Sequence, residues 1–357
     1  WHKLKKALSL PLPVLLSYAK TRLKARMNVL RPVTLKDELV RPKTIPSFPL
    51  GVFRAHMTGS KETADRICAH EFDMLGSGPC KLGKNINWQK DFAHDFDFPL
   101  IPSKEITYNY PQGRDIKVPW ELSRFQFLFT LIHSGRSNEA RELIADWILN
   151  NPIGMGANWK CTMDVAIRAC NWAVAWTFLK DEASWKDEKW RDVFLKSIIE
   201  HGKFILRNLE YGPGFNSNHF LADITGLLYL GVLFPQCKES PKWLDTAVEW
   251  LGTEMRAQVY PDGVDFEASI PYHRLVTEFF GFSALLCREN SIKLSNDYMA
   301  RLERMFEFTA AYTKPNGLAP QIGDNDDGRL FIFEDFFSWD RRDHKHLFWL
   351  ADELFPG

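Results

Sequence analysis

Four stretches of this sequence gather side chains able to move protons, hold anions or stack on rings. The first is YGPGFNSNHFLAD at 211–223. A Gly- and Pro-containing break there gives way to a helix starting between Asn216 and Asn218, so Asn218 and His219 fall in its first turn. The unpaired N–H groups and the positive dipole end of a helix favour an anion at that place. An amide beside an imidazole adds directed donors, which makes a carboxylate-binding corner. The plainer alternative is that Asn216, Ser217 or Asn218 is an N-cap, a role for which Asn and Ser are preferred, and that His219 is a satisfied, partly buried residue. The second stretch, PDGVDFEASIPYHRLVTEFF at 261–280, runs from a turn through Asp265 and Glu267 into a helix carrying Tyr272, His273 and Arg274. A tyrosine whose pKa is lowered by a nearby cation, such as Arg274 or a histidine, can take or give a proton. Otherwise Asp265 or Glu267 caps an ordinary amphipathic helix.

The third stretch, ANWKCTMDVAIRACNWAVAW at 157–176, sets Trp159, Trp172 and Trp176 among Arg168 and Asn171. Trp faces cover sugar rings and Arg forks bind carboxylates or sulfates, although Trp is more often core than platform. The fourth, WELSRFQF at 120–127, offers Trp120, Glu121 and Arg124, the last two spaced for an i,i+3 ion pair. No metal or cofactor is expected. GDNDDGR at 323–329 has its Gly one position early for an EF-hand loop and lacks the following Glu, so it reads as an acidic turn. His94 with Asp95 and Asp97, and His344 with His346, lack zinc-protease spacing; the two late histidines sit in RRDHKH, which reads as helix surface. The six cysteines, Cys68, Cys80, Cys161, Cys170, Cys237 and Cys287, form no CxxC pair. There is no nucleophile elbow, P-loop or Rossmann fingerprint.

The elements that must position these groups are helical. From Trp120 onward, apolar residues recur three and four apart, with short Gly, Pro or Asn breaks. The pattern predicts helices over 120–134, 137–150, 163–179, 186–208, 218–234, 241–257, 268–289, 296–313 and 342–354; RLFIF at 329–333 reads as a possible strand. FQFLFTLI and ADITGLLYLGVLF are apolar nearly all round and must be covered on more than one side. Short connections make antiparallel neighbours, and no fixed-period repeat announces a solenoid. An all-α fold follows, an incomplete (α/α) toroid of helical hairpins. Residues 1–110 form an irregular arm with a helix near 60–75, residues 111–340 the toroid, and 341–357 a final helix or the start of a linker. Lys+Arg and Asp+Glu are equal at 45 each, which argues against a nucleic-acid binder. Aromatic residues at 14% argue against disorder, and no apolar run is long enough for a membrane span. The basic, apolar stretch at 3–19 reads as a surface helix or arm; because the chain begins at Trp1, a removed leader remains open.

In their order, NWxxxxDVAIRAxNW, FNSNHFLAD, GVDFEASIPYHR and GDNDDGR resemble blocks of the heparinase II/III-like polysaccharide lyases, over about residues 50–330. The resemblance implies an (α/α) toroid followed by an antiparallel β-sandwich, and β-elimination on uronic-acid-containing polysaccharides such as heparan sulfate or alginate. It also implies a periplasmic or secreted setting, although the cysteines leave the cytoplasm open. By motif, Asn218 binds and neutralises the uronate carboxylate with His219 beside it, and Tyr272 is the base or acid. Arg168, Trp159, Trp172, Trp120, Arg124, Glu267 and His273 are the candidate substrate contacts, and Asn218, His219, Tyr272 and Arg168 are expected in one cleft. The sandwich of such enzymes lends a further active-site His, so the full-length protein is expected to carry that domain beyond Gly357. Two other functions fit the same residues. One is a glycoside hydrolase using Asp265 or Glu267 against Glu121; the other is a non-catalytic glycan-binding or exopolysaccharide assembly protein.

Overall fold

The computed structural model describes residues 33–108, 113–212, 216–325 and 327–356. The stretch at 3–19 lies outside them. In chain order the α-helices are α1 (Leu35–Glu38), α2 (Leu50–His56), α3 (Lys61–Cys68), α4 (Lys117–Ser123), α5 (Leu128–His133), α6 (Ser137–Asn150) and α7 (Thr162–Leu179). After these come α8 (Glu188–Arg207), α9 (Asn218–Leu233), α10 (Ser240–Gln258), α11 (Ile270–Glu289), α12 (Asn296–Tyr312) and α13 (Lys345–Leu354).

Burial sorts them into two layers. Helices α7, α9 and α11 are buried along almost their whole length, as their all-round apolar sequences require. Helices α8, α10 and α12 bury one stripe each, such as Trp190, Phe194 and Ile198 on α8 or Trp243, Ala247, Leu251 and Met255 on α10. The inner helices α5, α7, α9, α11 and α13 stand side by side, each touching the next, with α6, α8, α10 and α12 packed outside them. This is the expected open ring of hairpins. Two glycines allow close helix approaches: a Cβ at Gly226 of α9 would lie 2.8 Å from the Cβ of Ala166 on α7, and one at Gly231 would lie 2.8 Å from the backbone N of Leu244 on α10.

Several boundaries differ from expectation, each for a packing reason. The helix expected over 120–134 is broken between α4 and α5, where Phe125 takes φ +61. That unfavourable conformation for a bulky residue seats its ring against Trp88 and Trp172, both at 5.3 Å between centroids. The helix expected over 60–75 stops at Cys68. The short antiparallel pairs β1 (Glu71–Phe72) with β2 (Cys80–Lys81), and β3 (Lys90–Asp91) with β4 (Phe96–Asp97), follow in the arm.

RLFIF is not a strand. It threads the interior of the ring, where Phe331 meets Phe129 of α5, Tyr229 of α9 and Phe282 of α11. Side chains take the place of a strand partner. Leu330 N donates to Glu278 Oε2 (2.6 Å), Asn171 Nδ2 donates to Leu330 O (3.0 Å), Gln126 Nε2 to Arg329 O, and Arg274 to Gly328 O (2.8 Å). A buried backbone must be satisfied by some partner, and here polar residues of the inner helices serve. The last helix, α13, packs on α11 and α12 as a member of the ring. His344 and His346 are therefore buried and not on a helix surface: His344 Nδ1 meets Tyr312 Oη at 2.9 Å and His346 Nε2 meets Glu278 Oε1 at 2.7 Å.

Candidate active site at the mouth of the helical ring

The starts of α7, α9 and α11 meet at one end of the ring. Ser217 is the N-cap of α9, its Oγ accepting from His219 N, which puts Asn218 and His219 in the first turn. Ser269 caps α11 by accepting from Tyr272 N at 3.3 Å, so Tyr272 opens that helix. Neither Asp265 nor Glu267 is the cap of α11. Glu267 instead reaches the neighbouring helix, accepting from Asn218 N (3.0 Å) and from Asn218 Nδ2 on both oxygens (2.8 and 3.1 Å). A carboxylate at the N-terminus of α9 is favoured by the unpaired N–H groups there. Stretches 49 residues apart in sequence are thereby held together.

His219 sits beside them with 45% of its side chain exposed, its Nδ1 3.2 Å from Glu210 Oε2. Burial works to lower its pKa, but the hydrogen bond and charge of Glu210, with Asp164 behind, outweigh it and hold the imidazole above its ordinary value. Glu210 also accepts from Met163 N in the first turn of α7 (2.9 Å), and its own N donates to Asp223 Oδ2 (2.7 Å). Cys161, the N-cap residue of α7, places its Sγ 3.7 Å from His219 Nδ1 and 3.8 Å from Glu210 Oε2. Cys161, Glu210 and His219 are thus side chains able to hold a metal ion. Arg124 pairs with Asp164 of the same turn (2.7 Å) and with Glu121, the i,i+3 contact expected, but within the buried layer. Asp265 is buried, and burial followed by the charge of Glu267 pushes its pKa up to about 7. Beyond Glu121 lies a cavity of about 300 Å³ whose wall includes Gln126, Asp327, Trp339 and Arg341. The Arg341 guanidinium lies 3.8 Å from the Trp339 ring centre.

Other expected contacts lie away from this mouth. Arg168 is 0% exposed; its Nε donates to His201 Nε2 (3.0 Å), a second nitrogen to Asn158 O (3.2 Å), and its cation lies 4.1 Å from the Trp147 ring. It does not share a cleft with Asn218. Trp159 at 2% and Trp172 at 0% exposure have no face for a sugar; they enclose His201 at 4.8 and 5.1 Å. Trp120 is buried with Nε1 on Ala157 O (2.8 Å). His273, 1% exposed, lies between Asp265 N and Met305 O, and burial lowers its pKa to about 4. In each case the side chain is consumed by the core. The acidic turn at 323–329 closes on itself through Asn325 Nδ2 and Asp327 Oδ1 (2.7 Å), with Asp326 outside the described residues.

Glu210, Asp164, Trp339 and Arg341 were not singled out from the sequence. Glu210 lies one residue before the stretch that drew attention, and Asp164 lies inside a quoted block without a role. Trp339 and Arg341 carried no local signal.

The family model described as heparinase II/III N-terminus matches residues 13–340. The chain belongs to that family. A heparin-sulfate lyase of Pedobacter heparinus is 27% identical over 300 residues, spanning 79% of this chain and 41% of that protein. One of Bacteroides thetaiotaomicron is 26% identical over 180 residues, 49% of this chain and 25% of that protein. Among solved structures, a heparinase III aligns with TM-score 0.61 and 20% identity over 89% of this chain and 47% of its own. The heparan sulfate lyase of Pedobacter heparinus aligns with TM-score 0.54 and 22% identity over 87% and 46%. The chain spans less than half the length of the curated relatives it matches. At these identities the structural likeness establishes the helical toroid of the heparinase II/III N-terminus.

Proposed function

We propose that this heparinase II/III N-terminus is the catalytic toroid of a lyase that cleaves an acidic, uronate-containing glycosaminoglycan by β-elimination. The relatives named as heparin-sulfate lyases support heparan sulfate as the first substrate to try. The observation that carries the reading is the bond between Asn218 and Glu267, which joins the first turn of α9 to the segment entering α11 and Tyr272.

The C5 proton of a uronate is weakly acidic because the adjacent carboxylate resists further negative charge. Donors aimed at that carboxylate stabilise the enolate-like intermediate. In this reading Asn218 Nδ2 and the His219 imidazolium are those donors, and Glu267 holds the amide ready until the substrate carboxylate displaces it. Tyr272 acts as its phenolate: it takes the C5 proton, the C4–O bond breaks, a C4–C5 double bond forms, and the phenol so formed returns that proton to the leaving oxygen. Trp339 and Arg341, on the cavity beside Glu121, offer a ring and a cation to a neighbouring sugar. A hydrolase pairing Asp265 or Glu267 with Glu121 is disfavoured, since Asp265 is 1% exposed, Glu267 is bound to Asn218 and Glu121 to Arg124.

The full-length protein, incubated with heparan sulfate, hyaluronan, chondroitin and alginate, is expected to generate the ultraviolet absorbance of an unsaturated uronate on at least one of them. Chain cleavage without that absorbance would replace elimination by hydrolysis, and binding without turnover would make the protein a glycan binder.

A further inference from the structure

Cys161, Glu210 and His219 come from three separate places, the N-cap of α7, the segment after α8 and the first turn of α9, yet their donor atoms face one point. The separations are 3.7 Å for Sγ to Nδ1, 3.8 Å for Sγ to Oε2 and 3.2 Å for Nδ1 to Oε2. With Zn–S near 2.3 Å and Zn–N or Zn–O near 2.0–2.2 Å, tetrahedral ligands stand about 3.3–3.6 Å apart. Thiolate, imidazole and carboxylate at those spacings are a three-residue zinc set with a fourth position left for water or a substrate oxygen.

We infer that the mouth of the ring binds a zinc ion through Cys161, Glu210 and His219. The supporting layer is in place. Glu210 is fixed by Met163 N and Asp223, so its carboxylate is oriented before any ion arrives. Cys161 is buried on the core side, whereas 45% of the His219 side chain and 29% of the Glu210 side chain are exposed, so the open position faces the entrance. Coordination would form one Zn–S, one Zn–N and one Zn–O bond, releasing the thiol proton and the Nδ1 proton of the imidazolium and leaving the remaining imidazole proton on Nε2. A thiolate and an imidazole with a single carboxylate select zinc or cobalt over the oxygen-seeking calcium and magnesium. The site stands on its own geometry and does not depend on the lyase reading.

The test is titration of the reduced, metal-free, full-length protein with Co²⁺, followed by absorbance. One equivalent is expected to bind with a thiolate-to-cobalt charge-transfer band and the visible bands of a four-coordinate ion, both abolished by added Zn²⁺ but not by Ca²⁺ or Mg²⁺. Cys161→Ser, close in size and suited to an N-cap, should lose the thiolate band while its circular dichroism stays unchanged. Glu210→Gln should weaken binding by about tenfold or more, because losing an outer-shell partner alone costs roughly 10- to 100-fold. No uptake, uptake without a thiolate band, or a band that survives Cys161→Ser would overturn the assignment.

Discussion

The inner helices carry polar residues along their middles and at their starts, and the two groups meet opposite fates. In the middles, Arg168 is bonded to His201 and Asn158 O, Asn171 to Leu330 O, and Glu278 to Arg329 (2.5 Å), His346 and Leu330 N. Asn171 and Glu278 hold the ring to its internal plug, Arg168 ties α7 to His201 of α8, and each of the three has its partner. At the starts, His219 is half-exposed, Glu210 is partly exposed, and Asn218 is held by a carboxylate that another anion can replace. Residue type does not separate the two groups. Distance from the mouth of the ring does, because the core can satisfy a polar group only where it surrounds it.

The largest expected effect at the mouth is that of Tyr272→Phe, which removes only a hydroxyl. If Tyr272 transfers the proton, kcat should fall by roughly 10²- to 10⁴-fold with KM and melting temperature nearly unchanged. Full activity would make the phenol structural and erase the contrast. For a side chain enclosed by the core the effect passes from rate to stability. Trp159→Ala, expected from the sequence to raise KM as a lost sugar platform, should instead cost about 3–5 kcal/mol of stability in chemical denaturation, as loss of a buried Trp does. Its activity per folded molecule should be retained; a KM rise at unchanged stability would return Trp159 to the substrate surface.

Asn218→Ala sharpens the comparison, since Asn218 is buried like the middle residues yet assigned to chemistry. A loss of about 10²–10³ in kcat is the ordinary cost of one oxyanion-type donor; a loss of stability alone would place it with Arg168. The smallest effect is on pH dependence. His219 has its pKa raised by Glu210, so the contribution of its imidazolium is present at low pH and lost as pH rises through that raised value. Glu210→Gln removes the charge, so the alkaline fall of kcat/KM should begin at lower pH than in the parent protein. An unchanged profile would show that His219 acts as a neutral donor. These rates are to be measured with a chelator present, because zinc and the Nδ1 proton compete for one lone pair.

The helices from Trp120 onward, the run of hairpins and the all-round apolar character of α9 were legible in the sequence, because they depend on apolar periodicity along single segments; the structure then puts α9 inside and the striped α10 outside. The motif blocks also named Asn218, His219, Tyr272 and Glu267. Tertiary structure alone decided which of the quoted residues reach the mouth. Arg168 and Asp164 are four apart on α7, one turn of helix, yet Arg168 is enclosed by Trp147 and Trp159 whereas Asp164 joins Arg124 near His219. It also decided that RLFIF is a plug, since a short apolar run reads alike as strand or core filler until the partners of its backbone groups are known. Cys161, Glu210 and His219 carry no shared spacing, because their proximity arises from three helix ends brought together by packing. Periodicity reports which face of an element is apolar; which polar groups the folded ring leaves without a core partner depends on contacts between segments far apart in the chain.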